Sequence, residues 1–180
     1  MSYSVTLLKH QTLRTQHLVL RPFQLEDAKR LYEIGSQEKV AEFSINYPTL
    51  DAAYAGLADY WMGQPLGKFA VTLNNELIGA AELHADEKNR KAEIGYLLDP
   101  AYWGHGYATE AAAAVMALCF DLLGVLRVEA MHDATNPRSG RVMLRLGMHE
   151  EGRLEAEHLE KGVPITTVVM AKLRQQAADR

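Results

Sequence analysis

One cysteine in 180 residues excludes an intramolecular disulfide framework and a cysteine-built zinc cage. Long apolar runs are missing as well. No segment reaches the ~18 residues of a membrane span, and the opening Met-Ser-Tyr-Ser-Val-Thr lacks the charged-then-apolar order of a secretion signal. The expectation is a cytoplasmic protein with no membrane partner. Excess positive charge is lacking too: 19 Lys and Arg stand against 23 Asp and Glu, a net charge of −4. That balance argues against a nucleic-acid grip built on phosphate neutralisation and weakly favours cationic partners. Low-complexity tracts and internal repeats are also absent.

What is present is globular. With 48% hydrophobic and 23% charged residues, the chain can bury a core of its own. One domain over residues 1–180 is expected, with a core at about 16–173 and short tails. Cys119 sits in an apolar helical run and reads as a small buried hydrophobe, not a nucleophile.

Alternation from His17 to Phe23 predicts a first strand. Apolar spacing at 25, 28, 31, 32 and 34 predicts a helix, with a shorter one over Glu38 to Phe43. A further helix is expected from Thr49 to Met62, capped by Thr49 and stopped by Gly63. Strands follow at Lys68 to Leu73 and Leu77 to Leu83, joined through a hairpin signal at Asn74-Asn75-Glu76. Then come a strand at Ala92 to Leu98, a helix at Tyr107 to Leu123 and a strand at Val125 to His132. Asn136 to Gly147 reads as a helix with Pro137 in its first turn and Gly147 as its stop. Strands near Met148 to Glu157 and Ile165 to Leu173 would close the sheet as a hairpin around Lys161-Gly162. The class is α+β (mixed α/β), with helices on both faces of one sheet.

The most informative stretch runs from Leu97 to Glu110. A strand ends at Asp99-Pro100, Gly104 and Gly106 frame a turn, and Ala108-Thr-Glu-Ala-Ala-Ala-Ala opens a helix. Such a crossing leaves backbone N–H groups free at a helix N-terminus, where the dipole favours an anion. Glycine lets a phosphate approach the backbone. A phosphorylated cofactor is therefore expected. A dinucleotide fingerprint would need a third glycine where Thr109 stands, and a P-loop would need Gly-Lys-Ser/Thr; both fail. The seven histidines show no i, i+4 ligand spacing, and no metal is expected.

Three segments in order resemble the GNAT superfamily of N-acetyltransferases: Thr15 to Phe23, Trp103-Gly-His-Gly-Tyr-Ala108, and Asn136 to Met148. Trp103 replaces the usual Gln or Arg of the loop. With Tyr102 beside it, the loop is similar to the branch containing the ribosomal-protein alanine N-acetyltransferases (RimJ/RimL type) and spermidine acetyltransferases. The likeness covers roughly Leu18 to Ala171. It implies a mostly antiparallel, twisted sheet of about seven strands, with the family's fourth and fifth strands splayed apart. It also implies acetyl-CoA as cofactor, a primary amine as acceptor (a protein N-terminus or a small amino compound) and a possible homodimer through the final strands.

Carried over residue by residue, the resemblance places the pyrophosphate on the backbone of Trp103, Gly104, His105, Gly106, Tyr107, Ala108 and Thr109. The pantetheine arm would lie along Tyr96, Leu97 and Leu98, and Asn136 would hydrogen-bond it while capping its helix. Arg141 and Arg145 could reach a phosphate. Glu93 matches the strand glutamate that serves as general base in the histone-acetylating branch, and Ser139 would meet the departing thiolate. Glu82, His84, His132 and water are rival bases. Substrate walls are expected from Glu38 to Tyr47, with Phe43, Asn46 and Tyr47, and from the Tyr54/Tyr60/Trp61 helix. The final hairpin would add Arg153, Glu155, Glu157 and His158. Among these, Phe43, Tyr47, Glu82, His84 and Glu155 are the expected substrate contacts, with Glu42, Glu155 and Glu157 suited to a cationic acceptor. Rival functions are a non-catalytic acyl-CoA sensor and an aminoglycoside acetyltransferase.

Overall fold

The computed structural model describes residues 2–160 and 162–175. Eight strands form one sheet: β1 (Leu13–Arg14), β2 (Leu18–Arg21), β3 (Lys68–Leu73), β4 (Glu76–Asp86), β5 (Lys91–Leu98), β6 (Arg127–Asp133), β7 (His149–Glu160) and β8 (Val163–Leu173). Their order is β1-β2-β3-β4-β5-β6-β8-β7, and only the β5–β6 neighbours run parallel. The helices are α1 (Tyr3–Lys9), α2 (Ala28–Gly35), α3 (Glu38–Ala41), α4 (Leu50–Gly56), α5 (Tyr107–Ala117) and α6 (Pro137–Arg145). After α4 and α5 the chain stays helical to Met62 and Leu123, in wider turns.

Two apolar clusters, one on each face, hold the sheet between its helices. Leu18, Leu20, Val71, Ile78, Leu83, Ile94 and Val128 meet α5, α6 and α1 on one side. Ala70, Leu77 and Ala80 meet α2–α4 through Leu31, Ile34, Leu57 and Trp61 on the other. Fully burying a leucine side chain stabilises by about 1.5–3 kcal/mol, so these layers dominate the folding energy. The expected Cys119 packing holds: the residue is buried, and burial pushes its thiol up to about 12.

The turn at Asn74-Asn75 takes positive φ at both residues, 50° and 69°. That is the geometry a two-residue hairpin with right-handed strand twist demands. α6 starts as read: the Asn136 side chain accepts from the Ser139 N–H, and Pro137 occupies the first helical position.

Two expectations are corrected. The strands number eight, because residues 13 and 14 pair with Leu20 and Val19. Residues 3–9 form a helix where a short tail was expected. Ser2 caps it by accepting from the Val5 N–H, and Thr6 and Leu7 are buried. Seven residues are too few for a periodic pattern to declare itself, and the helix is held by packing rather than propensity. The closing β7–β8 hairpin forms, but Lys161 of its turn lies outside the described residues.

Tyr47, expected in a substrate wall, has a packing role. Its hydroxyl accepts from Trp61 Nε1 at 3.1 Å, and its ring lies against Gly35 and Gly56, where added Cβ atoms would collide with it. Gly56→Val should therefore displace the ring and destabilise by about 2–3 kcal/mol through overpacking. A melting temperature within 2 °C of wild type, roughly the shift from 1 kcal/mol or less, would contradict this packing role.

Candidate functional site

The strands β5 and β6 pair in parallel only through Lys91–Arg127, Ala92–Val128 and Glu93–Glu129. Beyond that they part. β5 stays joined to β4 as far as Leu98–Gly79, and β6 stays joined to β8 as far as Asp133–Thr167. Each strand keeps its outer partner, so a V opens between them and leaves the inner edge of β5 from Ile94 to Leu98 without a neighbouring strand. A cleft of about 830 Å³ enters the V. It is lined by Tyr96, Leu97 and Leu98, by Trp103, Gly104, Gly106 and Tyr107 to Thr109, by Asn136 and Ser139 of the α6 end, and by Phe43 and Glu42 from across the sheet.

The loop has the geometry expected of it. Gly104 and Gly106 sit at φ +86° and +84°, a region costly for other residues, and Cβ atoms there would meet nothing within 4 Å. The first helical bond of α5 runs from the Glu110 N–H to the Gly106 carbonyl, 3.0 Å. The N–H groups from 104 to 109 meet no acceptor among the described residues. Thr109 Oγ1 is buried and likewise has no partner among them. A buried hydroxyl and a row of open amides at a helix N-terminus suit an anion, and a pyrophosphate fits them.

Neighbouring side chains hold the loop in place. Trp103 donates from Nε1 to the Leu98 carbonyl at 2.9 Å, folding the loop back on β5. This explains how tryptophan can stand where Gln or Arg is usual. Arg138 stacks over its ring at 4.7 Å. Arg138, Arg141 and Arg145 all line the cleft; their spacing puts them on one face of α6. Lys39 and Ser44 fall in the Glu38 to Tyr47 stretch expected to form a wall, whereas Thr135 and Arg138 were not expected in the lining. An arginine stripe at i, i+3 and i+7 was a readable signal for the last. His105 lies outside the main cleft, stacked on Tyr107 at 5.7 Å. Glu110 turns away from the cleft to bind Thr15 Oγ1 and both the N–H and ring of His17.

Ser139 and Tyr96 form the pair nearest the V on the α6 side. The Tyr96 hydroxyl donates to the Ser139 carbonyl at 2.9 Å and stands 3.2 Å from Ser139 Oγ. Burial pushes the Tyr96 phenol up to about 12, against the lowering effect of that serine contact. It is therefore a neutral hydrogen-bonding group near pH 7. His132 gives its Nδ1 proton to the Asp133 carbonyl at 2.7 Å, which leaves Nε2 facing Gly140.

On the opposite face, β4 and β5 set Glu82 across from Gly95 and His84 across from Glu93, the shared face that alternation implied. Glu93 is exposed and does not line the cleft. Glu155 is exposed on β7, beside a bulge, and is not brought to the cleft either.

Fold and site together define an N-acetyltransferase that takes its acetyl group from acetyl-CoA. Comparison with known proteins agrees. A family model, Acetyltransferase (GNAT) domain, matches residues 17–149. The uncharacterized N-acetyltransferase YoaA of Bacillus subtilis is 31% identical over 166 residues, 87% of this chain and 93% of that protein. The spermidine N(1)-acetyltransferase of Escherichia coli is 27% identical over 148 residues, 79% and 78% of the two chains. The crystal structure of a GNAT-family acetyltransferase from Bacillus anthracis superposes with a TM-score of 0.81 at 26% identity, covering 90% of this chain and 98% of that one. The chain belongs to the GNAT acetyltransferase family.

Proposed function

We propose that this enzyme acetylates a primary amine, either a protein N-terminus or a small amino compound such as a polyamine, by direct attack within a ternary complex. The observation that carries the reading is the V between β5 and β6. It joins an open helix end on one side to Glu42 of the cleft lining on the other, with Glu82 and Glu93 on the β4–β5 face beyond the lining. Acetyl-CoA supplies an activated acyl carbon there. The backbone amides of residues 104–109 and Thr109 Oγ1 bind its pyrophosphate. The open edge of β5 at Tyr96 to Leu98 orients its arm, with the Asn136 amide nitrogen facing it, since the Asn136 oxygen is occupied by the Ser139 N–H. Arg138, Arg141 and Arg145 supply positive charge for the phosphates.

Ser139 serves as donor to the departing thiolate. Its hydroxyl is too weak an acid to give up a proton unaided, so it relays one. The carboxylates favour an acceptor that arrives as an ammonium ion, in keeping with the polyamine substrate named for the E. coli relative.

The test is release of free thiol from acetyl-CoA with peptides beginning in Ala or Ser, with spermidine, with amino acids and with aminoglycosides. Turnover of a peptide or polyamine supports the reading. Tight coenzyme A binding with no turnover of any amine would favour a sensor, and turnover of aminoglycosides alone would favour antibiotic modification. Ser139→Ala should lower kcat by about tenfold with little change in coenzyme A affinity; an unchanged kcat would remove Ser139 from the reaction.

A further inference from the structure

Gly95 has no side chain, and the Glu82 carboxylate occupies the space one would fill. A Cβ at Gly95 would stand 3.1 Å from Glu82 Oε1 and 3.2 Å from Cγ. Glu82 thus lies across β5 two residues from Leu97, which lines the cleft and packs against the same face. Tyr60, in the helical extension of α4, donates its hydroxyl to Glu82 Oε2 at 2.6 Å. Lys68, the cross-strand partner of Glu82, is buried beneath that ring. Its Nζ donates to the Tyr60 carbonyl at 2.9 Å and stands 3.2 Å from the ring centroid. Oε1 meets no donor among the described residues, and the Glu82 side chain keeps 21% of its surface exposed. One carboxylate oxygen is held and the other meets no donor among them; Glu82, like Glu93, stands outside the residues that line the cleft, two positions along the face from Leu97, which does line it. Glu93 stands one residue pair further from Leu97, with no hydrogen bond holding its side chain among the described residues.

We propose that Glu82 is the general base of the acetyl transfer and that Tyr60 is the residue positioning it. The inference rests on the amine-acetylation reading above. Glu82 takes a proton from the acceptor ammonium, directly or through one water. The freed nitrogen lone pair forms the C–N bond to the acetyl carbon as the C–S bond breaks. The second nitrogen proton passes to the thiolate by way of Ser139 or water, and Glu82 later returns its proton to solvent. Burial and the adjacent carboxylate push the Tyr60 phenol well above its ordinary value, so it remains a donor throughout the working range. Charged or titratable groups facing Glu82 are Lys68 on β3, His84 on its own strand with Nε2 at 3.4 Å, Glu93 on β5, and the phenols of Tyr47 and Tyr60.

The experiment is the pH dependence of kcat/KM for wild type, Glu82→Gln, Glu93→Gln, His84→Gln and Tyr60→Phe. Acetyl-CoA is paired with spermidine or an Ala-initial peptide, whichever the wild type uses, and each variant's melting temperature is recorded. Glu82→Gln should lose about 100-fold near pH 7 and recover toward high pH as free amine accumulates. Tyr60→Phe should lower kcat by about tenfold with little change in KM, because the carboxylate loses the donor that positions it; it keeps the ring over Lys68 and serves if Glu82→Gln folds poorly. A Glu82→Gln rate within threefold of wild type, a larger loss in Glu93→Gln, or an acidic limb abolished by His84→Gln alone would overturn the proposal while leaving the acetyltransferase reading intact. Failure of wild type to acetylate any amine would overturn both.

Discussion

Calorimetric titration with coenzyme A should find Gly106→Val binding about 100-fold more weakly than wild type. Valine is β-branched, and at the observed φ of +84° it carries a backbone penalty of roughly 1–3 kcal/mol. It relieves that strain by turning the peptide, which turns the amides away from the phosphate. Its side chain would also project where no protein atom now lies, in the path of the cofactor. Global stability should change much less, because the Gly106 side-chain position contacts nothing in the core and α5 is anchored by Ala111, Ala112, Val115 and Met116. Unchanged coenzyme A affinity would show that the loop is not the diphosphate site. A collapse of the melting temperature would show that the glycine is structural.

A second large effect is expected at Asp99, where the strand hands over to the loop. Asp99 is 3% exposed. It pairs with Arg30 of α2, and accepts from Gln37 Nε2 at 3.1 Å and from the Ala101 N–H at 3.0 Å. Burial alone would raise its pKa; the Ala101 N–H, Gln37 and Arg30 overcome that and hold the carboxyl below the usual range. Asp99→Ala leaves Arg30 and the Ala101 amide without this partner and should cost about 3 kcal/mol, or about 6–12 °C in melting temperature for a chain of this size. The sign of the pH effect follows from the depressed value. The carboxylate's stabilisation is fully present above its unfolded pKa near ~4 and is lost as pH falls through the lower folded value. The gap in stability between wild type and Asp99→Ala should therefore narrow as pH falls below the unfolded value near ~4. A constant gap between them down to pH 2 would mean that the loss comes from packing, not charge.

The legible parts of this molecule were those written in neighbouring residues. Gly104 and Gly106 ahead of an alanine-rich run, Asn136-Pro137 at a helix start and Asn74-Asn75 at a hairpin each encode backbone geometry within a few positions. Period-two alternation also placed Ala80, Glu82 and His84 on one face. The same alternation could not rank Glu93 against Glu82. What separates them is Gly95 opposite Glu82 and Tyr60 above it, and Tyr60 lies 22 residues away. The packing of Tyr47 was hidden for a similar reason: its ring is held by two glycines and Trp61 from two helices. The separation of Glu155 from the cleft was equally hidden: β7 lies at the far edge of the sheet, with β6 and β8 between it and the cleft-bearing strand.

The sequence by itself determined the glycine turn ahead of α5, the cap of α6 and the Asn74-Asn75 hairpin turn, because steric limits on φ and ψ act locally. Tertiary structure decided where β5 and β6 part, which carboxylate meets Tyr60 and which aromatic rings are buried. Those outcomes depend on register and packing between segments tens of residues apart. Loop closure and the shapes of both partners set that register, and neither is written in any one stretch of chain.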